Sequence, residues 1–357
     1  MYYITEDRKN WTEKKRAARA TAARIHGVAD RLMLHSSKKL TEEKDKSEKL
    51  HRRAGRISSC ADRLVFRACS ECNIRTLVRA ELCRDRLCPV CSWRRSRALA
   101  AKIKGIVSDN SAKVTRRYIL LTLTIKNCEW ENLSDNLGQM LRAWTKLARR
   151  TKFKRAYSGW VRTLEITRGK DGLAHPHLHV LLEAGPEYFD NSYITQTEIV
   201  EMWKKCLGVK YSPIVDIRAV REARLGGAIA EVAKYVAKAA DVDGLEDTEF
   251  LAYTAAVAGV RMYGAGGTMR KADEEITEVE MLAAGEDREE DRHVCPICGR
   301  LMQEYTEKWD NSTKCYTVEG APIPEPPPKD SITIINYGVV RIAGKAYTIQ
   351  NIARNGN

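Results

Sequence analysis

The chain has 357 residues, 43% of them hydrophobic, and 61 Lys and Arg against 47 Asp and Glu give a formal net charge of +14. That length and apolar content can build a sizeable core in one large domain with appendages or in two domains, and the cationic excess favours a polyanionic partner, because each Lys or Arg on a phosphate releases condensed counterions. No apolar run approaches the roughly 20 residues of a spanning helix and the opening MYYITEDRKN holds no apolar signal core, so a cytoplasmic protein with no membrane partner is expected, its eleven cysteines read as metal ligands or plain thiols rather than disulfides.

Residues 1–56 carry sixteen Lys and Arg against eight Asp and Glu, with few and weakly periodic apolar positions. They read as a basic N-terminal arm, mobile or loosely helical, or as a solvated charged helix. Residues 57–105 hold a cysteine cluster followed by a basic helix, SWRRSRALAAKIKG. Cys69-x2-Cys72 and Cys88-x2-Cys91 are fifteen residues apart, a spacing that suits a tetrahedral structural zinc site. Cys83 and Cys60 lie close enough to replace one ligand. Arg94, Arg95, Arg97, Lys102 and Lys104 on the basic helix are expected to grip duplex phosphates, together with the arm.

Residues 106–245 read as the folded core. YILLTLTIK (118–126) is a buried strand. Leu137, Met140, Leu141, Trp144, Leu147 and Ala148 recur at helical spacing over 134–150. Residues 160–167 alternate as a strand, GKDG (169–172) is a turn, and Leu178, Val180 and Leu182 continue the alternation on the return strand. A helix at about 195–207, a short strand near 213–219 and a helix at 227–240 complete the order. Strand, helix, hairpin, helix, strand, helix defines an α+β fold with an antiparallel sheet covered by helices.

Beyond it, 246–292 reads as an acidic linker or helical segment, with ten acids between 273 and 291. A C-terminal module, 293–357, contains His293, Cys295, Cys298 and Cys315, a candidate second zinc site with a knuckle-like CPICG turn. A Pro-rich spacer (PIPEPPP, 322–328) leads to a small hairpin at 331–350.

Two segments carry chemistry. In HPHLHVLL (175–182), His177 and His179 point the same way on a strand, with Leu178 between them on the other face. A hairpin turning near Asp171 sets Glu165 opposite one of them, with cross-strand Cβ atoms roughly 4.5–5.5 Å apart. Two imidazoles and a carboxylate with open positions suit a divalent ion that also holds substrate oxygens. His175 is near, but Pro176 distorts the strand there, which makes it an outer or DNA-contacting residue. In AIAEVAKYVAKAA (228–240), Glu231, Tyr235 and Lys238 are spaced i, i+4, i+7 and share one helical stripe. Beside a metal, a phenol, a carboxylate and an ammonium make a phosphodiester site: the phenol of Tyr235 attacks phosphorus, and Lys238 offsets charge on the phosphate or lowers the phenol pKa.

Three blocks in order, LLTLTIKN (120–127), HPHLHVLL (175–182) and EVAKYVAK (231–238), with the segment LCRDRLCPVCSWRRS (82–96), give a chain that resembles the HUH-type replication initiators of small rolling-circle plasmids. These are the single-tyrosine Rep proteins, found mainly in Gram-positive bacteria. The resemblance covers about 80–240. It implies an HUH endonuclease core in which an antiparallel sheet bears the histidine pair, and a catalytic divalent ion, Mg²⁺ or Mn²⁺. It further implies Tyr235 as nucleophile, Glu231 acting in termination, a plasmid origin with a single-stranded loop as substrate, and a host helicase and polymerase as partners. A cysteine is retained at the position of Cys83, so the four zinc ligands are to be found among Cys69, Cys72, Cys83, Cys88 and Cys91; Leu82 stands where a Phe is usual. The basic N-terminus and the cysteine-bearing C-terminus depart from the pattern. A mobilisation relaxase or a single-strand transposase would share the histidine pair and the tyrosine, whereas a non-catalytic zinc-containing DNA-binding regulator would bind DNA without nicking it.

Overall fold

The computed structural model of the protein describes residues 8–34, 40–72, 75–234, 244–277, 281, 294–295 and 297–319, and the backbone of strands at 332–336, 339–342 and 345–348. The chain opens with two long helices, α1 (Arg8–Leu34) and α2 (Leu40–Ser59), which pack on one another. Strands β1 (Arg63–Ala68) and β2 (Arg75–Ala80) follow, then helix α3 (Pro89–Lys113), which starts on Pro89, a residue whose missing N–H costs nothing in a first turn.

The central unit begins with β3 (Arg117–Thr124), α4 (Leu133–Arg149) and the short α5 (Thr151–Ala156). The hairpin β4 (Gly159–Arg168) and β5 (Ala174–Ala184) comes next, then α6 (Tyr188–Asn191), α7 (Gln196–Leu207), β6 (Val215–Val220) and α8 (Leu225–Lys234). Helix α7 is bounded by a capping box, Thr195 with Glu198, and by Gly208 in the left-handed region at φ 72°, a conformation glycine adopts without a Cβ penalty. The unit closes with α9 (Asp247–Ala256) and the edge strand β7 (Tyr263–Gly267). The five strands form one antiparallel sheet in the order β6-β3-β5-β4-β7. The α+β class and the element order expected from the sequence are those of the structure; β7 was not anticipated, since four of the five residues of its YGAGG (263–267) are Gly or Ala, which are depleted in strands.

The two faces of this sheet are covered differently. On one, Leu121, Leu123, Leu164, Leu178, Val180 and Leu182 pack against α4 and α7, and Trp203 of α7 is pinned by Nε1 donating to the Thr124 carbonyl at 2.8 Å. On the other, Tyr118, Val161 and Leu181 form a smaller apolar cluster with Leu99, Ile103 and Val107 of α3 and Ile229, Val232 and Ala233 of α8. The polar residues Thr122, Glu165, His177 and His179 share this second face beyond the apolar cluster.

A second sheet, β2-β1-β8-β9, pairs the N-terminal hairpin with β8 (Gln303–Asp310) and β9 (Cys315–Glu319). Strands β10 (Ile332–Asn336), β11 (Val339–Ile342) and β12 (Lys345–Thr348) form a three-stranded antiparallel sheet where one hairpin was expected. The acidic run at 273–291 is described only to residue 277 and at 281. No described helix is long and apolar enough to cross a membrane.

The expected basic arm is corrected. Its described residues form a helical hairpin docked on the core, because α1 carries an apolar and small-residue stripe, Trp11, Ala18, Ala22, Ile25, Val28 and Ala29, all buried. Trp11 meets Trp93 of α3 edge-on, ring centroids 4.9 Å apart. Lys15 is fully buried and donates to the carbonyls of Ser58 and Cys60, each at 2.7 Å, and to Asp62 at 2.5 Å. Trp11→Ala should therefore lower unfolding free energy by about 3–5 kcal/mol, the usual cost of emptying a buried aromatic site, measured by chemical denaturation. An arm free of the core would show no change.

Candidate active site

The hairpin register builds the site. β4 and β5 pair antiparallel with Glu165 opposite His177 and Thr163 opposite His179, so the three functional side chains alternate onto one face. The turn between them is held by Gly172 at φ 81° and by Asp171, whose Oδ1 accepts from the Leu173 N–H at 3.2 Å. Glu165 Oε2 lies 2.5 Å from His177 Nε2 and 3.0 Å from His179 Nε2. On the other side of β5, β3 sets Thr122 opposite His179 and Thr124 opposite His177. Thr122 Oγ1 is 3.4 Å from His179 Nδ1, which orients that ring. The Nδ1 of His177 is buried without a hydrogen-bond partner among the described residues. His175 contacts Asn127 through Nδ1.

Glu165 and His177 are buried and His179 nearly so. Burial pushes the His179 pKa below its ordinary value, against the opposing pull of its hydrogen bond to Glu165. Burial also lowers the pKa of His175, with the neighbouring His177 adding to the effect. Both rings therefore favour the neutral form, which is the form that ligates a metal. A carboxylate oxygen and two imidazole nitrogens converge within 4.8 Å of one another. Such a set fits a divalent cation, since the three lone pairs repel unless a cation or shared protons lie between them.

Helix α8 abuts this centre. The hydroxyl of Thr163, one step along the face from Glu165, donates to the Val232 carbonyl at 3.1 Å. Sequence reasoning missed Thr163, although its place in the alternating strand pattern marked it as sharing the face of Glu165. Glu231 on α8 is exposed, yet close enough for its charge to raise the pKa of His179 against the effect of burial. The helix is described to Lys234; Tyr235 and Lys238 lie outside the described residues.

The cysteines are grouped differently from the expectation based on spacing. Cys60, Cys83, Cys88 and Cys91 form one cluster, and Cys69 and Cys72 join Cys295 and Cys298 in another. The reason is topological: the ends of the β1–β2 hairpin lie apart, with Cys60 before it and Cys69 and Cys72 at its turn. In the first cluster the Sγ–Sγ distances are 3.6 Å for Cys60–Cys91 and 3.7 Å for Cys83–Cys91. Tetrahedral zinc with Zn–S of about 2.3 Å requires about 3.8 Å. Backbone N–H groups of Cys83 and Arg84 donate to Cys60 Sγ and Cys91 Sγ at 3.3 and 3.2 Å, as the partners of thiolate ligands do. Cys315 belongs to neither cluster and accepts from Arg16 at 3.4 Å; His293 lies outside the described residues.

The expected phosphate contacts also need correction. Arg94 is fully buried, donating from Nε to the Met281 carbonyl at 2.7 Å with its guanidinium 5.2 Å from the Trp11 ring and 5.3 Å from that of Trp93. It fills the seam between α1 and α3 and cannot reach DNA. Arg95 donates to the carbonyls of Arg84 and Asp85, Arg97 lies over Trp93, and Lys102 pairs with Glu274, while Lys104 is exposed.

Fold and site together define an α+β protein with a carboxylate and two imidazoles gathered on an antiparallel sheet, flanked by two tetrathiol clusters. Comparison with known proteins narrows this further. The profile of the replication protein family matches residues 74–317, and the chain belongs to that family. It is 32% identical over 300 residues to "Protein rep" of Bacillus amyloliquefaciens, covering 77% of this chain and 86% of that one. It is 32% identical over 287 residues to "Protein rep" of Lactiplantibacillus plantarum, covering 75% and 88%, and 34% identical over 250 residues to "Protein rep" of a Bacillus species, covering 63% and 81%. No solved structure matches the chain.

If the convergent set holds the cation, His177→Ala and Glu165→Gln should each weaken Mn²⁺ binding by more than about tenfold, a loss that even outer-sphere partners of a metal typically cause. Electron paramagnetic resonance titration of free Mn²⁺ reads this directly. Unchanged binding in both variants would place the ion elsewhere.

Proposed function

We propose that the protein initiates rolling-circle replication of a small plasmid by nicking one strand of the origin through Tyr235, and ends the round by a second cleavage. The observation that supports this most is the approach of α8 to the Glu165, His177 and His179 centre in a member of the replication protein family. In the sequence Tyr235 follows directly on Lys234, the last described residue of α8.

Glu165, His177 and His179 would hold Mg²⁺ or Mn²⁺, which when bound polarises phosphate oxygens. The phenol oxygen of Tyr235 attacks phosphorus, and its proton is lost to water as the leaving 3′ oxygen takes one up. The bond from phosphorus to the 3′ oxygen breaks, leaving a 5′-phosphotyrosine on the protein and a 3′-hydroxyl for a host polymerase, with a host helicase opening the duplex. Lys238 offsets charge on the phosphate. Glu231 serves as general base for water in the terminating cleavage, a role that typically contributes on the order of 10²–10⁴-fold. A glutamate cannot carry DNA as a second tyrosine would, so water cuts the regenerated origin; the 3′-hydroxyl freed there attacks the phosphotyrosine, closing the circle, and the phenol oxygen of Tyr235 leaves and takes back a proton. Cys60, Cys83, Cys88 and Cys91 would hold a structural zinc ion. Lys104 and the remaining accessible cations of α3 contact phosphates, and the protein works in the cytoplasm.

Supercoiled plasmid carrying the cognate origin should be nicked with Mg²⁺ and left intact after chelation. Tyr235→Phe should bind the origin and lose nicking. Glu231→Gln should keep the first nick and accumulate products longer than one unit. Nicking by Tyr235→Phe would refute the nucleophile. Normal termination by Glu231→Gln, or a loss of its first nick as deep as in Tyr235→Phe, would refute the hydrolytic role.

A further inference from the structure

The second tetrathiol cluster joins parts of the chain that are far apart in sequence. Cys69 and Cys72 sit on the turn after β1, and Cys295 and Cys298 precede β8; residues 73–294, including the whole central sheet, lie between them. Their four Sγ atoms lie within 4.8 Å of one another, and Cys69 Sγ is 3.5 Å from Cys298 Sγ. That separation is far beyond a disulfide bond of about 2.05 Å and near the roughly 3.8 Å that tetrahedral zinc sets between thiolates; all four thiols are free.

The backbone around the thiols is built for the same purpose. β1 and β8 pair antiparallel with Ala68 opposite Gln303, which brings the end of β1 to the start of β8. The turn at Cys298 closes through Gly299 at φ 70°, whose N–H donates to the Cys295 carbonyl at 2.8 Å, while the Cys295 N–H donates to the Arg300 carbonyl at 2.6 Å. Gly299 is required there, because a side chain is strained at that φ. Across the two halves, Arg300 pairs with Glu71 at 2.9 Å and Arg67 with Glu304 at 2.6 Å. Cys69 and Cys295 are buried, with Ile297 and Met302 packed against them.

We propose that Cys69, Cys72, Cys295 and Cys298 bind one zinc ion, making a ribbon whose two halves come from opposite ends of the central sheet's own chain segment. The ion and the β1–β8 ladder clasp together the entry and exit of residues 73–294. It is a second structural site, separate from Cys60, Cys83, Cys88 and Cys91, and its ligand set differs from one formed within the C-terminal module alone. The claim is independent of the nicking chemistry.

Elemental analysis of the full-length protein should find two zinc ions per chain, and one in Cys298→Ser. Alkylation followed by peptide mass spectrometry should find Cys69 and Cys72 protected in the native protein and reactive in Cys298→Ser, with Cys60, Cys83, Cys88 and Cys91 protected in both. The native protein gives the same answer without a variant: stepwise chelation should unmask Cys69, Cys72, Cys295 and Cys298 together, as a set separate from the other four. The same zinc content in Cys298→Ser as in the native protein, iron in place of zinc, continued protection of Cys69 and Cys72 in Cys298→Ser, or unmasking of Cys69 and Cys72 apart from Cys295 and Cys298 would each overturn the proposal.

Discussion

The register of a single hairpin governs the candidate active site. With Glu165 opposite His177, the carboxylate reaches two imidazoles of the neighbouring strand, and Thr163 falls where its hydroxyl can take the Val232 carbonyl of α8. A slip of one residue between β4 and β5 would send Glu165 to the apolar face against α4 and α7 and bring Leu164 into the metal position. The Asp171 and Gly172 turn and the apolar alternation of Leu164, Ile166, Leu178 and Val180 both oppose that slip. Packing on one face thus specifies the chemistry on the other.

The flanking modules meet a different electrostatic problem. Four thiolates around a zinc dication would leave a net charge of −2 in a mostly buried cluster, and the ammonium of Lys15 lies beside it, donating to the Cys60 carbonyl. Burial depresses the Lys15 pKa, countered by its hydrogen bond to Asp62. An unpaired charge in that position would be costly; here Asp62, two carbonyls and the nearby sulfur cluster support it. The cationic N-terminal segment therefore docks as part of the cysteine module. Glu307, buried between Arg8 at 2.7 Å and Arg75 at 3.1 Å, ties the same helix to the second sheet.

Much of the central sheet was legible because its signals are local. A short apolar, β-rich run marked β3, alternation marked β4 and β5, a 3.6-residue period marked α4, and the pairing of Glu165 with the histidines followed from one turn. Features set by long-range topology were not legible. Spacing joined Cys69 and Cys72 to Cys88 and Cys91, whereas the β1–β8 ladder takes them to Cys295 and Cys298. The charge of α1 hid a stripe rich in alanine, and charge alone made Arg94 look like a phosphate ligand when it fills the seam beside Trp11 and Trp93. Both errors treat charge as exposure, and a long cationic side chain can be satisfied by carbonyls and aromatic faces instead.

The proposed chemistry depends first on the group that takes the DNA. Origin DNA cleaved by the native protein, digested with nuclease and then with a protease that cuts after lysine, should release residues 235–238 as a peptide carrying a nucleotide phosphate on Tyr235, between the cleavage points at Lys234 and Lys238. Fragmentation of that peptide assigns the modified residue. A nucleotide on another residue, or an unmodified 235–238 peptide from protein that has nicked its DNA, would contradict the assignment of the nucleophile and with it the proposed mechanism.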